Sequence, residues 1–192
     1  MQAKRIAIFA SGRGSNALRM IDYFKGTPIS VALIVCNNPQ AEVLKQAEKA
    51  NVPALLINRE EFYKSDLVLK RLQHEKIDLI VLAGFLWMIP GNILDTFKKR
   101  MINIHPALLP KFGGKGMYGA KVQQAVIDSK EKETGITIHY VNEHYDEGEI
   151  ILQKKCEVTL NDTPETLAQK VHALEHEYYP KIVEQLINGT DN

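Results

Sequence analysis

Asn103 and His105 have the residue types and the spacing that acyl transfer to an amine requires. They lie two residues apart at the end of the apolar run 101–104, so their side chains point to the same side of a predicted strand. The amide can polarise a carbonyl group, and the imidazole can move a proton near neutral pH. The structural alternative is a histidine whose ring bonds to a backbone carbonyl at the end of the strand.

Asp146 is a carboxylate that could orient this histidine or a water molecule. It follows the sixth predicted strand in Tyr145-Asp-Glu-Gly148, where an Asp before a Gly is also typical of a plain turn. His139, His144 and Asp146 together suggest a metal site, but neither a thiolate nor a third histidine is near them in the sequence. We therefore predict no metal.

A glycine loop, Ser11-Gly-Arg-Gly-Ser-Asn16, lies between the first predicted strand and the first predicted helix. Backbone N–H groups and the helix dipole at such a place favour an anion such as phosphate. The loop partly matches a dinucleotide fingerprint, but Cys36-Asn-Asn-Pro39 stands where the acidic ribose partner is expected. The alternative is a tight turn in which Ser15 or Asn16 caps the helix.

The pattern of apolar runs predicts the elements that position these residues. Strands are predicted at 5–10, 30–36, 53–57, 79–83, 101–104, 135–141 and 149–158. In the first half they alternate with amphipathic stretches, which indicates βαβ units and a parallel sheet with helices on both faces. The predicted fold class is therefore α/β, with a Rossmann-like, mostly parallel, twisted sheet of about seven strands.

Three longer stretches complete this prediction. Residues 59–75 have the spacing of a single crossover helix with a solvated His74, and residues 106–119 form an irregular loop rich in Pro and Gly. A long last helix begins near Pro164, and Pro180 predicts a kink in it. Its predicted apolar face contains Leu167, Val171, Leu174, Tyr178, Ile182 and Leu186.

Length and composition limit the classes of function that the chain could have. With 192 residues, 45% of them hydrophobic, the chain can build one core, and we expect a single domain spanning 1–192. A net charge of +1 provides no field that would gather nucleic acid or an anionic membrane. The amino terminus, Met1-Gln-Ala-Lys-Arg5, runs directly into a short strand, so we expect a cytoplasmic protein. Cys36 and Cys156 are predicted to be ordinary strand residues in a reducing compartment.

The order of the motifs resembles the glycinamide ribonucleotide formyltransferases, a family of folate-dependent enzymes, over nearly the whole chain. Asn-x-His-Pro followed by Leu-Leu-Pro is specific for folate-dependent formyl transfer, while the glycine loop and Glu175 select the small purine-biosynthetic enzyme. The motifs are Ser11-Gly-Arg-Gly-Ser-Asn16, Leu82-Ala-Gly-Phe85, Asn103-Ile-His-Pro-Ala-Leu-Leu-Pro110, Thr137-Ile-His139, Asp146-x-Gly148 and Glu175-His176.

The resemblance implies direct transfer of the formyl group of 10-formyltetrahydrofolate to the amine of glycinamide ribonucleotide. It assigns catalysis to Asn103, His105 and Asp146. The ribonucleotide would be bound by Gly14, Ser15, Asn16, His172 and Glu175. The folate would be bound by Leu86, Trp87, Met88, Ile89, Asn103, Asn142, Glu143, His144, Tyr145 and Asp146. Small molecules are the only partners implied, and no oligomeric state is predicted.

Two departures from the family pattern and three alternatives accompany this hypothesis. Family members often carry a positively charged residue near the position of Trp87, and the loop 111–119 is a few residues longer than in many relatives. A formyltetrahydrofolate hydrolase or a methionyl-tRNA formyltransferase would share the catalytic trio, but the length of the chain argues against both. A Rossmann-like nucleotide-binding module without catalysis would explain the glycine loop but not Asn103 and His105.

Overall fold

A computed structural model describes residues 3–189, so the part of the amino-terminal prediction that concerns Met1 and Gln2 lies outside the described residues. Seven strands form a sheet in the order β3-β2-β1-β4-β5-β6-β7. The elements are β1 (Lys4–Phe9), α1 (Ser15–Tyr23), β2 (Ile29–Cys36), α2 (Glu42–Lys49), β3 (Ala54–Leu56), α3 (Arg59–Tyr63), α4 (Leu67–His74), β4 (Leu79–Leu82), α5 (Gly91–Thr96), β5 (Met101–His105), α6 (Ala120–Asp128), β6 (Glu133–Tyr140), β7 (Ile150–Glu157) and α7 (Pro164–Asn188).

The described chain divides into two compact units, residues 3–102 with 180–189 and residues 103–179. In the first unit β1 pairs in parallel with both β2 and β4, and β2 pairs in parallel with β3. The strands are apolar on both sides because a parallel sheet is buried on both faces. Accordingly, residues 6–9 of β1 and Ala10, which follows it, have no exposed surface.

The second unit contains an antiparallel pair, β6 with β7, whose register shifts between Ile138 and His139. Such an irregularity changes the direction of the side chains next to it, and it lies here beside a buried histidine. Gly135 is required in β6, because a Cβ there would lie 1.8 Å from the carbonyl oxygen of Lys154.

All seven predicted strands are confirmed, with ends that differ by a residue or two. The single helix predicted over 59–75 is wrong, because the structure has α3 and α4 there. Asn58 and Glu61 form a capping box at the start of α3, and the Ser65 hydroxyl donates to the carbonyl of Glu61, so the chain turns at residues 64–66. His74 is exposed as predicted, and α5 and α6 were not predicted.

The buried face of α7 differs from the predicted one. Leu167, Val171 and Ile182 are buried, but Leu174, Tyr178 and Leu186 are only half-buried. The stripe in the core instead runs at four-residue steps, through Leu167, Val171, Glu175, Tyr179, Val183 and Ile187. The core therefore includes a carboxylate, which an apolar pattern cannot reveal.

Candidate active site

His105 ends β5 and is almost completely buried, with 3% of its surface exposed. Its Nε2 lies 2.7 Å from the carbonyl oxygen of Phe112, so this nitrogen carries a proton. Its Nδ1 lies 3.4 Å from Oδ2 of Asp146. In the neutral ring that nitrogen has no proton to donate, and it donates to the carboxylate only when the ring takes up a second proton. The backbone contact expected for a structural histidine is therefore present, together with a carboxylate partner.

Asp146 lies in the connection between β6 and β7 and holds several groups of the second unit together. Its backbone is left-handed, with φ of +57°, a conformation that Asp adopts more readily than most residues. Oδ2 accepts a hydrogen bond from the Gly114 N–H at 2.9 Å, and Oδ1 accepts one from Nδ2 of Asn103 at 3.4 Å. The predicted turn is confirmed, and its carboxylate points inward to His105 and Asn103.

His139 is a member of this cluster that the sequence analysis left out of the site. Its Nδ1 lies 2.8 Å from the carbonyl oxygen of Tyr140 and donates to it, so Nε2 is free of a proton and accepts from Asn103 Nδ2 at 3.1 Å. In the sequence it had been considered only as a metal ligand and as the end of the motif Thr137-Ile-His139, whose two polar residues alternate along β6. His139 therefore fixes the orientation of the Asn103 amide.

The backbone that follows His105 is tied to β6 and β7 by a buried hydroxyl. Thr137 has no exposed surface; its Oγ1 donates to the carbonyl of Ala107 at 2.7 Å and accepts from the Leu109 N–H at 3.0 Å. Gln153 Nε2 donates to the same hydroxyl and to the carbonyl of Leu109. Because these buried groups satisfy one another, the start of the loop after β5 is fixed relative to β6.

Burial and charge shift the pKa values of both catalytic candidates. Burial lowers the pKa of His105 below its ordinary value of 6.5, although the charge of Asp146 and the Phe112 carbonyl oppose the shift. Burial alone raises the pKa of Asp146, but the neighbouring rings of His139 and His105 and the Gly114 N–H lower it overall, below 3.8. Near neutral pH the site thus combines an uncharged ring with a carboxylate.

We expect an NMR titration of the His105 ring to have its midpoint below pH 6.5. In Asp146→Asn the midpoint should move still lower, because the carboxylate charge is what raises the pKa of the ring. The depressed native pKa also means that the unfolded chain binds more protons, so the stability contributed by the neutral ring is complete above about pH 6.5 and decreases in acid. A midpoint above 6.5 would contradict the burial of an uncharged ring.

Helix α7 brings a second charged residue into the second unit. Glu175 is 5% exposed, and its Oε2 lies 3.0 Å from Nδ1 of His172, one turn earlier, so the prediction that the two share a face is confirmed. Tyr179, one turn later, is completely buried, and burial followed by the charge of Glu175 raises the pKa of its hydroxyl well above 10.0. Glu175 thus carries a buried charge that also acts on His105.

The glycine loop follows β1 in the first unit and is held by three hydrogen bonds of Ser11. The Ser11 N–H donates to the carbonyl of Gly84, its Oγ accepts from the Leu86 N–H, and its carbonyl accepts from Asn38 Nδ2. Gly14 has φ of +77°, and a Cβ there would lie 2.4 Å from Cγ2 of Val43. Only glycine fits this position.

The start of α1 has the features of an anion site. Gly14 is its N-cap residue, the described first turn has no acidic side chain, and no side chain caps it. The alternative in which Ser15 or Asn16 caps the helix is therefore wrong, because both residues lie inside α1. The positive end of such a helix favours an anion.

The folate-binding candidates lie in both units. In the segment 86–89 Leu86 and Met88 are exposed and Trp87 is half-buried, whereas Ile89 belongs to the core. In the segment 142–145 the Asn142 side chain accepts from the N–H of His144, and the side chains of Glu143, His144 and Tyr145 are exposed. Ile89 therefore offers little surface to a ligand.

Within residues 3–189 no three His, Cys, Asp or Glu side chains converge as metal ligands. His139 is buried beside Asp146, whereas the side chain of His144 is 62% exposed. His139, His144 and Asp146 therefore do not form a metal site. Cys36 and Cys156 are free thiols in β2 and β7, as predicted.

Residues 4–183 match a protein family described as formyl transferase. The chain belongs to the formyltransferase family. A phosphoribosylglycinamide formyltransferase of Bacillus subtilis (strain 168) is 37% identical over 98% of this chain and 97% of the relative. A chloroplastic phosphoribosylglycinamide formyltransferase of Arabidopsis thaliana is 39% identical, and the alignment covers 94% of this chain and 64% of the relative. The crystal structure of phosphoribosylglycinamide formyltransferase from Bacillus halodurans has a TM-score of 0.86 and 36% identity over 98% of both chains.

Membership of the formyltransferase family confirms the predicted fold and the predicted enzyme class. It excludes the nucleotide-binding module without catalysis, and it implies a formyl donor derived from folate. No helix within residues 3–189 is both long and apolar enough to cross a bilayer.

Proposed function

We propose that the chain transfers the formyl group of 10-formyltetrahydrofolate to the amine of phosphoribosylglycinamide. The observation that carries this proposal is the convergence of Asn103, His105 and Asp146, in a formyltransferase whose bacterial relative of that name aligns over nearly its full length. The products are formylphosphoribosylglycinamide and tetrahydrofolate, as in the formyl-transfer step of purine biosynthesis. Both substrates are small molecules.

In the proposed reaction the substrate amine attacks the formyl carbon carried by N10 of the folate. A new C–N bond forms, the carbonyl oxygen gains negative charge, and the C–N10 bond then breaks as N10 takes up the proton released by the amine. Proton donors near the oxygen lower the energy of this intermediate. Neither cysteine lies in the catalytic cluster, so no covalent intermediate on the protein is needed.

The hydrogen bonds of Asn103 and His105 indicate which contacts the substrate replaces. Asn103 uses its amide hydrogens toward His139 and Asp146, and the bond to Asp146, at 3.4 Å, is the weaker of the two. We assign that hydrogen to the developing oxyanion. The Nε2–H of His105 reaches the reacting groups only after its bond to the Phe112 carbonyl opens. Asp146 then stabilises the doubly protonated ring and relays protons through water.

The ribonucleotide is assigned to two sets of residues. The phosphate binds at Gly14, Ser15 and Asn16, since the first turn of α1 has no side-chain cap and no carboxylate to repel an anion. Glu175 and its neighbour His172 bind the glycinamide and ribose portion. The pterin binds at residues 86–89 and 142–146. The family match runs across both compact units, which supports a single functional domain. We also propose that the protein is located in the cytoplasm.

Replacing Glu175 by alanine should raise the KM for phosphoribosylglycinamide by about ten- to a hundredfold, because a hydrogen bond to a charged group is lost. The Kd for the folate should change little. The matched control is Glu177→Ala, which removes an exposed carboxylate from the same helix. Steady-state kinetics with each substrate varied in turn measure both constants. Equal losses of affinity for both substrates would show that the variant merely destabilises α7.

The proposed function is tested by turnover of the purified protein with phosphoribosylglycinamide and 10-formyl-5,8-dideazafolate. We expect release of the deformylated folate, followed by its absorbance, only when the ribonucleotide is present. Methionyl-tRNA in place of the ribonucleotide should give no release. Turnover with another amine but none with phosphoribosylglycinamide would overturn the proposal.

A further inference from the structure

We propose that Gln123 is a positioning residue, which holds the loop between β5 and α6 against the catalytic cluster. This inference rests on the proposed function, since it concerns how the residues assigned to that reaction are kept in place. Gln123 lies in α6 and is 2% exposed, and its Nε2 donates to the carbonyl of Pro106 at 2.9 Å. Pro106 follows His105 directly, so a side chain of α6 is bonded to the backbone next to the His105 ring.

This hydrogen bond joins the two ends of the loop 106–119. The start of the loop is fixed to β6 and β7 by the hydrogen bonds of Thr137 and Gln153. Gln123 fixes its end, because it ties α6, into which the loop runs, back to Pro106. A loop whose ends are joined has fewer conformations available than one that is anchored at a single end. The middle of the loop is thereby restricted to a small range of positions.

The middle of the loop contacts both titratable groups of the catalytic cluster. The Phe112 carbonyl accepts from Nε2 of His105, and the Gly114 N–H donates to Oδ2 of Asp146. Phe112 has φ of +57°, a conformation that a residue other than glycine keeps only where its surroundings hold it. The Phe112 carbonyl raises the pKa of His105, and the Gly114 N–H lowers the pKa of Asp146. The position of the loop therefore affects the proton affinity of both groups.

The amide of Gln123 is used for its donor and not for its acceptor. Its Oε1 is buried and accepts no hydrogen bond from the described part of the chain, which lowers stability. The neighbouring side chains on the buried face of α6 are Val122 and Val126, so an apolar residue would suit this face. Such a residue would avoid the unused acceptor but would lose the bond to Pro106. The hydrogen bond to Pro106, and not the packing of the core, therefore explains an amide at this position.

The experiment measures the midpoint of the NMR titration of the His105 ring in Gln123→Met, whose side chain has a similar volume but no donor. We expect the midpoint to fall by about half a pH unit, because the loop shifts and the Phe112 carbonyl no longer raises the pKa of the ring. Three other groups act electrostatically on this ring and are the same in the variant: Asp146, His139 and Glu175.

The matched control is Gln124→Met. Gln124 is the next residue of α6, but it is exposed, and its amide donates to Asp128 on the same helix. This variant should leave the midpoint of the His105 titration unchanged. A shift of the same size in Gln124→Met would overturn the inference, because the effect would then be one of α6 in general.

Steady-state kinetics and urea unfolding of Gln123→Met give two further measurements. The kcat should fall about tenfold, because the Asp146 carboxylate loses the Gly114 N–H that orients it, while both KM values change little. The midpoint of urea unfolding should not fall, since the unused acceptor is removed together with the donor. A purely structural glutamine would give the opposite pattern, a lower urea midpoint with an unchanged kcat.

An unchanged or higher His105 midpoint in Gln123→Met would overturn the inference, and so would a variant that does not fold. A lower midpoint with an unchanged kcat would also overturn it, because the position of the loop would then not matter to catalysis. The titration needs neither substrate, so its outcome is separate from the test of the proposed function. A shifted midpoint in a protein that transfers no formyl group would leave the contact of the loop in place and reject the reaction.

Discussion

Replacing Asp146 by asparagine is expected to lower kcat by about two to four orders of magnitude, the usual contribution of a positioned acid–base group. The carboxylate interacts with Nδ1 of His105 and carries a charge that matters most when the ring is protonated. An asparagine can accept a hydrogen bond at only one of the two positions that now accept from Gly114 and Asn103. We therefore also expect a loss of about 1–2 kcal/mol in the free energy of unfolding, with the fold retained.

The measurement is kcat with both substrates saturating, for Asp146→Asn, His105→Ala and the double variant. His105→Ala should lose a similar factor, and the double variant little more than either single one, because the two groups act as a unit. Glu147→Gln is the control, since it removes an exposed carboxylate from the same turn. Additive losses would mean that the two residues act independently. If Asp146→Asn kept most of its activity, the role of Asp146 would be limited to forming the turn. Thermal unfolding of each variant distinguishes a loss of catalysis from a loss of folding.

Gly148→Ala is expected to destabilise the protein by about 3 kcal/mol or more and to abolish most activity. A Cβ at this position would lie 1.7 Å from the carbonyl oxygen of Tyr140, which is backbone and cannot turn aside. That carbonyl also accepts from Nδ1 of His139, and His139 in turn orients the Asn103 amide. A displaced Tyr140 carbonyl thus disturbs the catalytic cluster as well as the connection between β6 and β7.

Urea unfolding and kcat measured on the same preparation test this expectation. The control is Gly91→Ala, at the first position of α5, where a Cβ would meet nothing within 4 Å and where φ is not positive. It should change the free energy of unfolding by less than about 1 kcal/mol. A stable, active Gly148→Ala would mean that the connection adopts another path and that Asp146 is not held as described.

The strands and the pair of Asn103 and His105 could be predicted because their signals are local. Short apolar runs bounded by turn residues mark most of the strands, and Asn103 and His105 are linked by the two-residue period of a single strand. Asp146 required the family resemblance, since an Asp before a Gly is compatible with a plain turn.

What the sequence could not predict depends on contacts between distant segments. The buried face of α7 contains Glu175 and Tyr179, so tertiary packing determined it rather than the apolar pattern. His139 enters the site only through its pairing geometry with β7 and its bond to Asn103. Arg59 and Trp87 are far apart in sequence and meet because α3 packs against the segment after β4. The break between α3 and α4 followed from side-chain bonds to the backbone that compete with helix formation.

The most direct test of the central claim is a single turnover with 10-formyl-5,8-dideazafolate labelled with ¹³C in the formyl group. Excess protein is mixed with phosphoribosylglycinamide, and the label is followed by ¹³C NMR and by mass spectrometry of the intact chain. We expect the label to pass to the ribonucleotide amine, without formate and without a formylated protein. Label in formate would identify a hydrolase, label on the protein would identify a covalent intermediate, and either result would contradict direct transfer at Asn103, His105 and Asp146.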